Sequence, residues 1–155
     1  MLDEISLKIL KILQKKARIP NVEVARQVDM APSAVLERIR KLENRGFIDG
    51  YEVRLNPQKF KRNLVAFITV FTSPQEDVNT VGAQLSSIPE VQEVHYIAGE
   101  DGFIVKVRIA DMAELGKLLS EKILNLSTVR KTHTATAMAT FKETARIPIG
   151  SVDII

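Results

Sequence analysis

The chain has 155 residues, enough for one ordinary domain or two small ones. Hydrophobic residues make up 45% of it and charged residues 26%, a balance typical of a globular protein. No apolar run approaches the ~20 residues of a membrane-spanning helix, and the acidic start Met-Leu-Asp-Glu lacks the pattern of a signal peptide. The absence of cysteine excludes disulfides and thiolate metal sites. These features predict a cytoplasmic protein that does not contact a membrane.

The net charge of +3 conceals an uneven distribution along the chain. Residues 1–62 carry 14 Lys or Arg against 8 Asp or Glu, whereas residues 63–155 carry 8 against 11. A basic segment favours association with the phosphates of double-stranded DNA. The asymmetry therefore indicates a DNA-binding first half and a second half with a different task, although a difference of a few charges also arises by chance.

The first predicted element is an amphipathic helix that ends near Lys16. Its apolar residues recur at helical spacing and predict one buried face. These residues are Leu2, Ile5, Ile9, Ile12 and Leu13.

Two further short helices joined by a tight turn are predicted within residues 21–50. In the second of them Pro32 stands at a first-turn position that tolerates its missing N–H, and Gly46 ends the helix. Apolar residues at i, i+4 and i+7 give this helix one buried face. These two helices and the first predicted helix together form a helix-turn-helix unit over residues 1–50. The predicted core is Ile5, Ile9, Leu13, Val24, Val28, Val35, Ile39, Leu42 and Ile48.

The outer face of this second helix is predicted to contact DNA. Residues near its start and on its outer face reach base edges, and Arg38 is the candidate for a bidentate guanine contact. A solvated helix face, or an ion pair of Arg38 or Arg45 with Glu43 or Glu23, would explain the same charges. The predicted DNA-binding residues are Ser33, Ala34, Glu37, Arg38, Arg40, Lys41, Arg45 and Arg54, with Arg40, Arg45 and Arg54 assigned to phosphates.

A strand and a polar linker are predicted between the two halves. Residues 51–55 alternate between apolar and charged side chains, as in a short strand, and residues 56–63 are polar and contain a proline. The predicted division is therefore residues 1–50, the strand and linker 51–63, a second domain 64–146, and a tail 147–155.

The second half predicts the order β-α-β-β-α-β, a split βαβ or ferredoxin-like α+β domain. Both helices of such a domain cover one face of an antiparallel sheet. Asp111 is expected to cap the second helix. The strands are predicted over residues 64–72, 91–98, 103–109 and 129–141, and the helices over residues 76–87 and 111–123.

The other face of this sheet is predicted to pack against a second copy of the chain. The strand over residues 64–72 is apolar on both sides, with Val65, Phe67 and Phe71 on one of them. A strand that faces water on one side alternates apolar and polar residues. An apolar open face therefore predicts a homodimer through two packed sheets.

The chain resembles the Lrp/AsnC family, the leucine-responsive or feast/famine transcription regulators. The resemblance runs from about residue 2 to residue 146 through LDEISLKILKILQKKARI, VARQVDMAPSAVLERIRKLENRGFIDGYEVRLNP, the β-α-β-β-α-β half, and VRKTHTATAMATFKE. It implies a sequence-specific DNA-binding transcription regulator with a winged or plain helix-turn-helix and a ligand-sensing domain that dimerises. It also implies assembly into tetramers, octamers or open arrays, with an amino-acid effector bound between dimers.

The effector site is predicted at the turn between the second and third strands of the second half. An amino acid needs an acid for its ammonium and backbone donors for its carboxylate, and glycine permits a close approach to the backbone. Hydroxyls of the last strand would line the site. The alternative is that the turn only closes a hairpin and that the threonines only favour a strand. The predicted residues are Gly99, Glu100, Asp101, Gly102, Thr132, Thr134 and Thr136.

Two positions depart from the family pattern. Ala31 stands where the family often has a serine that caps the recognition helix, so this helix is expected to lack that cap or to receive one from elsewhere. The acid Asp101 stands one place earlier in the turn than in the family, which leaves the identity of the effector open.

No enzymatic site, cofactor or metal site is predicted. His95 and His133 are the only histidines, and each lies alone on a predicted strand. No P-loop, dinucleotide fingerprint or nucleophile elbow is present. The alternative to a DNA-binding regulator is a small-molecule-binding module that acts on a protein partner. Salt-sensitive DNA binding would distinguish the two, because counterion release requires a steep salt dependence.

Overall fold

The structure, a computed structural model, describes residues 2–99 and 102–150 and divides into two units. The N-terminal unit contains residues 2–54 together with residues 143–150, and the second unit contains residues 55–142. Within the described ranges no helix is long and apolar enough to cross a membrane.

The N-terminal unit is built from α1 Glu4–Lys15, α2 Asn21–Val28 and α3 Pro32–Asn44. The turn between α2 and α3 is tight because Asp29 adopts the left-handed conformation, with φ of 55°. Gly46, with φ of 72°, follows α3 and lets the chain turn away from the helix. The predicted helix-turn-helix is therefore confirmed.

The core of this unit contains most of the predicted residues. Ile9, Val24 and Val35 are completely buried. Leu10 and Ala25 are buried as well, although the predicted core omitted them, because the apolar stripes of their helices are wider than one row of side chains. Three predicted residues, Ile5, Val28 and Ile48, are only partly buried at its edge.

Residues 143–150 pack along α1 as part of the N-terminal unit. The side-chain amide of Gln14 accepts a hydrogen bond from the Ile147 N–H at 2.9 Å and donates to the Ile147 carbonyl at 3.2 Å. Arg146 donates to the carbonyl of the last residue of α1, and Ile149 packs against the helical core. The C-terminal segment of this unit thus begins at residue 143, whereas the predicted tail begins at 147.

The strand predicted over residues 51–55 does not form. Residues 48–56 contain no regular element, and Tyr51, Val53 and Leu55 stay at least half exposed. A strand requires a neighbour to pair its backbone N–H and C=O groups. These residues pair with no strand of the described chain. The alternation of apolar and charged residues was therefore not enough to predict a strand.

The second unit confirms the ferredoxin-like α+β fold. Its four strands form one antiparallel sheet with the spatial order β2-β3-β1-β4. A 3-10 turn at Pro57–Phe60 precedes the sheet. The elements are β1 Leu64–Thr72, α4 Val78–Ser86, β2 Val91–Ile97, β3 Gly102–Ile109, α5 Met112–Lys117 with a π-helical continuation over Leu118–Ile123, and β4 Val129–Thr136.

The strand β4 ends at Thr136, earlier than the predicted end at Phe141. Thr136 pairs with Ala66 of β1, and β1 itself begins at Leu64. An edge strand has no hydrogen-bonding partner beyond the end of its neighbour. The longer predicted strand is therefore wrong, because its end depends on β1.

Both helices of the second unit start at aspartate caps and cover the same face of the sheet. Asp77 accepts a hydrogen bond from the Thr80 N–H at 2.8 Å, and Asp111, as predicted, accepts one from the Glu114 N–H at 2.8 Å. The completely or almost completely buried side chains of this core include Ile68, Val70, Val105, Val107, Ile109, Val81, Leu85, Leu115, Leu118 and Ile123.

The open face of the sheet carries apolar side chains along β1 and, beside them, Ile104 of β3. Phe67 is 44% exposed there, next to Phe71 on the same strand. The flanking strands carry charged side chains on this face. Lys106 lies 2.8 Å from Glu93, and the Lys131 ammonium lies 4.4 Å from the centre of the Phe71 ring. The predicted apolar face is thus a stripe bordered by charges, a feature that β1 alone did not reveal.

Candidate DNA interface and effector site

An exposed row of side chains on α3 forms the candidate DNA interface. Ser33, Glu37, Arg40 and Asn44 are spaced at i, i+4, i+7 and i+11, so they lie on one side of the helix, opposite the buried residues. We call these four residues the outer row. Asn44 was not among the predicted residues, although its spacing in the sequence places it in the same row.

Of the two charged side chains in the outer row, Arg40 is unpaired within the described ranges and Glu37 is paired. Within the described ranges Arg40 forms no hydrogen bond or ion pair, so its guanidinium is available to a ligand. Glu37 pairs with Lys41 at 2.7 Å, and this hydrogen bond holds the pKa of Glu37 below its usual value. Both side chains are 68% exposed. Such a pair contributes little to stability, so a DNA phosphate can take Lys41 from it at small cost.

Arg38 lies on the side of α3 that faces α1, and not in the outer row. Its Nη1 donates to Asp3 Oδ2 at 2.5 Å and to Ser6 Oγ at 3.2 Å. The side chain is 31% exposed. The alternative of an intradomain ion pair is therefore realised, but with Asp3 as the partner instead of the Glu43 or Glu23 that this alternative named. A direct guanine contact would first have to break this pair.

The carboxylate of Asp3 serves two helices at once. Its Oδ1 accepts the Ser6 N–H at 2.8 Å and caps α1, while its Oδ2 holds Arg38. The hydrogen bonds from Ser6, together with that from Arg38, lower the pKa of Asp3 to about 2. Sequence reasoning missed this role, although an aspartate three residues before Ser6 is a visible helix-start signal.

We expect Asp3 to make the N-terminal unit lose stability in acid. Its pKa is about 2 in the folded chain and ~3.9 in an unfolded chain. Its stabilising contribution is therefore complete above the unfolded value and is lost as the pH falls through the folded one. In urea unfolding followed from pH ~5 to ~2, Asp3→Asn, which keeps a capping acceptor, should decline less steeply than the wild type.

Asp49→Asn is the matched control for this measurement, because Asp49 is exposed and forms no ion pair with another described residue. It should decline like the wild type. Parallel curves for the wild type and Asp3→Asn would contradict the expectation.

The helix α3 begins without a side-chain cap. Ala31 is its N-cap residue and accepts only the Val35 N–H, at 3.1 Å, through its backbone carbonyl. Because Pro32 has no N–H, the N–H groups of Ser33 and Ala34 are the free donors of the first turn. Donors of this kind bind phosphate groups.

The two remaining arginines lie after α3 and are exposed. The guanidinium of Arg45 lies 4.9 Å from the centre of the Phe47 ring, a cation–π contact that supports it beyond the helix end. Arg54 lies in the irregular segment that follows. Both keep donors on the surface of the N-terminal unit.

The predicted effector turn is described at both ends. Gly99 has φ of 103°, a conformation that favours glycine. At Gly102 a Cβ would lie 2.4 Å from the carbonyl oxygen of Val70, so the packing of two strands excludes any side chain. Glu100 and Asp101, the predicted partners of the ammonium group, lie outside the described residues.

The predicted threonines share one side of β4. Thr132, Thr134 and Thr136 pair with inward-facing residues of β1, so they lie on the helix-covered face of the sheet. Thr132 pairs with Val70, the residue whose carbonyl contacts Gly102. Thr132 therefore lies at the end of the sheet that carries the turn, whereas Thr136 is four residues further along, ~13 Å away.

The two histidines lie on the open face of the sheet. His95 pairs with Ile104, Ile104 with Thr69, and Thr69 with His133, so the histidines terminate one row across four strands. His95 Nε2 lies 3.4 Å from Glu93 Oε2. Within the described ranges no group of three potential metal ligands comes together.

Comparison with known proteins assigns both units to one family. The winged helix-turn-helix DNA-binding family matches residues 2–49, and the Lrp/AsnC ligand binding domain matches residues 65–147. This chain belongs to the Lrp/AsnC family. The leucine-responsive regulatory proteins of Escherichia coli K12 and Salmonella typhimurium are each 37% identical to this Lrp/AsnC chain over 150 residues. The alignments cover 96% of this chain and 92% of each relative.

Solved structures agree with this assignment. A transcriptional regulator of Neisseria meningitidis, solved with L-Met, superposes with a TM-score of 0.90 at 28% identity over 96% of this chain and 97% of that one. The leucine response regulatory protein of Mycobacterium tuberculosis gives 0.79 at 31% identity over 95% and 100%. Escherichia coli AsnC has the same fold, with a TM-score of 0.86 at 24% identity over 96% and 99%. The chain is thus a DNA-binding transcription regulator with a C-terminal effector-binding domain.

Proposed function

We propose that this Lrp/AsnC regulator reads DNA with the outer row of α3 and responds to an amino acid bound by its second unit. The observation that carries the DNA contact is Arg40, which is exposed on the outer row and unpaired within the described ranges. An arginine on a helix in the major groove donates two hydrogen bonds to guanine. Arg40 takes the role first assigned to Arg38, because Arg38 is held by Asp3.

We expect Arg40→Ala to weaken binding to a specific duplex by ~1–3 kcal/mol and to relax its preference at one base pair. The probe is a duplex selected from random DNA by the wild-type protein, measured by fluorescence anisotropy beside a scrambled duplex. Lys11→Ala is the control, since it removes one positive charge from an exposed position of α1.

The result separates three roles of Arg40. Loss on the selected duplex alone supports base contact. Equal loss on both duplexes makes Arg40 a phosphate contact, and unchanged binding removes it from the interface.

Phosphate contacts supply the rest of the DNA affinity in this proposal. The candidates are the free N–H groups of Ser33 and Ala34 and the side chains of Lys41, Arg45 and Arg54. Each phosphate neutralised contributes about 0.9 to the slope of log affinity against log salt. A DNA affinity that does not change with salt concentration would favour the alternative function, a small-molecule module that acts on a protein partner.

The effector is an amino acid bound at the end of the sheet where Gly99, Gly102 and Thr132 lie. The support is the match to the family's ligand-binding domain and the L-Met that the Neisseria regulator was solved with. Backbone groups beside Gly99 and the hydroxyl of Thr132 offer hydrogen bonds to it. Glu100 and Asp101 stay the predicted partners of its ammonium group.

The regulator forms a homodimer through the open face of the sheet, and its dimers assemble further. Phe67 is 44% exposed on this face, and a second sheet packed on it would remove that apolar surface from water. An effector between dimers changes how many DNA half-sites one particle holds at once, and so changes its avidity. The effector shifts this equilibrium only if it binds one assembly state more tightly than another.

Sedimentation of the protein with and without a pool of the common amino acids tests both parts. A change of mass supports a sensing oligomer, and the pool is then divided to find the effector. A monomeric mass at micromolar concentration would contradict the dimer. An unchanged mass together with flat calorimetry against every amino acid would contradict the effector. Cytoplasmic localisation stays a prediction.

A further inference from the structure

We infer that Asp3 and Ser6 are positioning residues that hold the recognition helix α3 in its rotational setting through Arg38, and that Arg38 itself does not contact DNA. The inference rests on the proposal that the outer row of α3 reads bases. It adds residues that lie outside α3 to the determinants of DNA specificity.

The contact is made by groups that are already immobilised. Asp3 is fixed by its cap of α1, where Oδ1 accepts the Ser6 N–H, and Ser6 is 7% exposed. Arg38 Nη1 reaches Asp3 Oδ2 and Ser6 Oγ together, at 2.5 Å and 3.2 Å. Two acceptors in the first turn of one helix therefore fix one side chain of another.

The position of Arg38 suits orientation better than DNA contact. At ~100° per residue, Arg38 and Arg40 stand about 160° apart around α3. When Arg40 points outward, Arg38 points back toward α1 and beside the buried stripe. Arg38 also borders an open surface pocket of about 160 Å³ that Asp3, Ser6 and Leu42 help to line.

The Asp3–Arg38 contact prevents α3 from rotating about its own axis. The buried stripe of α3 packs between α1 and α2 and sets the orientation of the helix to a first approximation, and the directional hydrogen bonds from Arg38 to Asp3 and Ser6 fix the remaining small rotation. With side chains included, a helix has a radius of ~5–6 Å, so a turn of roughly 15° moves the outer row by ~1.5 Å. A shift of this size breaks a hydrogen bond to a base edge. The Asp3–Arg38 pair adds little stability, but its hydrogen bonds are directional and refine this angle.

Asp3→Asn distinguishes positioning from ordinary electrostatics. The variant keeps a capping oxygen for α1, loses the charged acceptor of Arg38, and makes the protein more positive. Electrostatics alone predicts tighter binding to any duplex. We expect instead about fivefold weaker binding to the selected duplex, the upper end for an exposed ion pair. Binding to the scrambled duplex should be equal to that of the wild type or tighter. Wild-type or tighter binding to the selected duplex would overturn the inference.

Arg38→Gln tests whether Arg38 acts through Asp3. The double variant with Asp3→Asn should bind the selected duplex no more weakly than Arg38→Gln alone, because both changes break one contact. Ser6→Ala should also weaken binding to the selected duplex, by a smaller factor.

The salt dependence of DNA binding tests whether Arg38 contacts DNA directly. The slope of log affinity against log salt for Arg38→Gln should equal that of the wild type. A slope lower by about one makes Arg38 a phosphate contact, and a change of base preference that Asp3→Asn does not share makes it a base contact. Either result would overturn the inference.

Val28→Ala controls for a general loss of stability. Val28 is partly buried in the N-terminal core and takes no part in the Asp3–Arg38 contact. At a temperature where all variants are folded, Val28→Ala should bind the selected duplex like the wild type. If it loses specificity as much as Asp3→Asn does, the effect is one of stability and the inference fails.

Arg40→Ala separates this inference from the proposed function. If Arg40→Ala binds normally while Asp3→Asn loses specificity, the positioning role stands and the assignment of Arg40 fails. The opposite pattern retains Arg40 and overturns the positioning role.

Discussion

Gly102→Ala is expected to destabilise the second unit by ~3 kcal/mol or more, the upper range for overpacking a core. The added Cβ would lie 2.4 Å from the Val70 carbonyl oxygen and 3.4 Å from the Phe71 Cα, both in the central strand β1. These are backbone atoms of a strand that is paired on both sides, so no side-chain rotation relieves the clash. Separation of β1 from β3 is the only relief, and it opens the core.

Gly116→Ala is the matched control for this change. Gly116 lies inside α5, and a Cβ there meets no atom within 4 Å. Alanine in a helix interior is favoured over glycine by roughly 0.5–1 kcal/mol, so this variant should be neutral or more stable. Urea unfolding followed by circular dichroism compares the two. A wild-type midpoint for Gly102→Ala would contradict the tight approach of the strands.

The same clash affects how the effector site is tested. Loss of amino-acid binding in Gly102→Ala would report a damaged sheet and not a lost ligand contact. Thr132→Val suits that purpose better, because it removes one hydroxyl from a position at the same end of the sheet.

Ile9→Ala is expected to destabilise the N-terminal unit by ~2–5 kcal/mol, the usual cost of truncating a buried isoleucine. Ile9 is completely buried in the apolar core of the N-terminal unit. A unit this small has little stability in reserve, so the change should leave much of the helix-turn-helix unfolded. DNA affinity should fall accordingly, while the second unit keeps its own unfolding transition.

Lys11→Ala on the same helix is the control for Ile9→Ala. Lys11 is exposed, and a surface substitution of this kind stays within about ±0.5 kcal/mol. Hydrogen exchange read separately for residues 2–54 and 55–142 shows which unit has changed. Equal loss of protection in both ranges would contradict the division into two units.

Local patterns in the sequence determined the elements and their order. The buried stripes of α1 and α3, the glycine after α3 and the cap at Asp111 were all predicted, because periodicity and capping involve residues within a few positions of each other. The β-α-β-β-α-β order followed from the same signals and restricts the sheet to few topologies. The helix-turn-helix pattern and the basic first half predicted DNA binding, and the family resemblance then covered both units.

Tertiary structure alone decided which groups meet across long stretches of chain. Arg38 was predicted to contact guanine, with an ion pair to an acid on α3 or α2 as the alternative, but its partner Asp3 is 35 positions away. The end of β4 is set by β1, the need for glycine at position 102 is set by the Val70 carbonyl, and Gln14 holds Ile147 from 133 positions away. Each of these features depends on a contact between two segments that lie far apart in the sequence. Periodicity and capping patterns span only a few residues, so they do not predict such contacts. The helix-turn-helix was therefore readable from the sequence, whereas the group that orients its recognition helix was not.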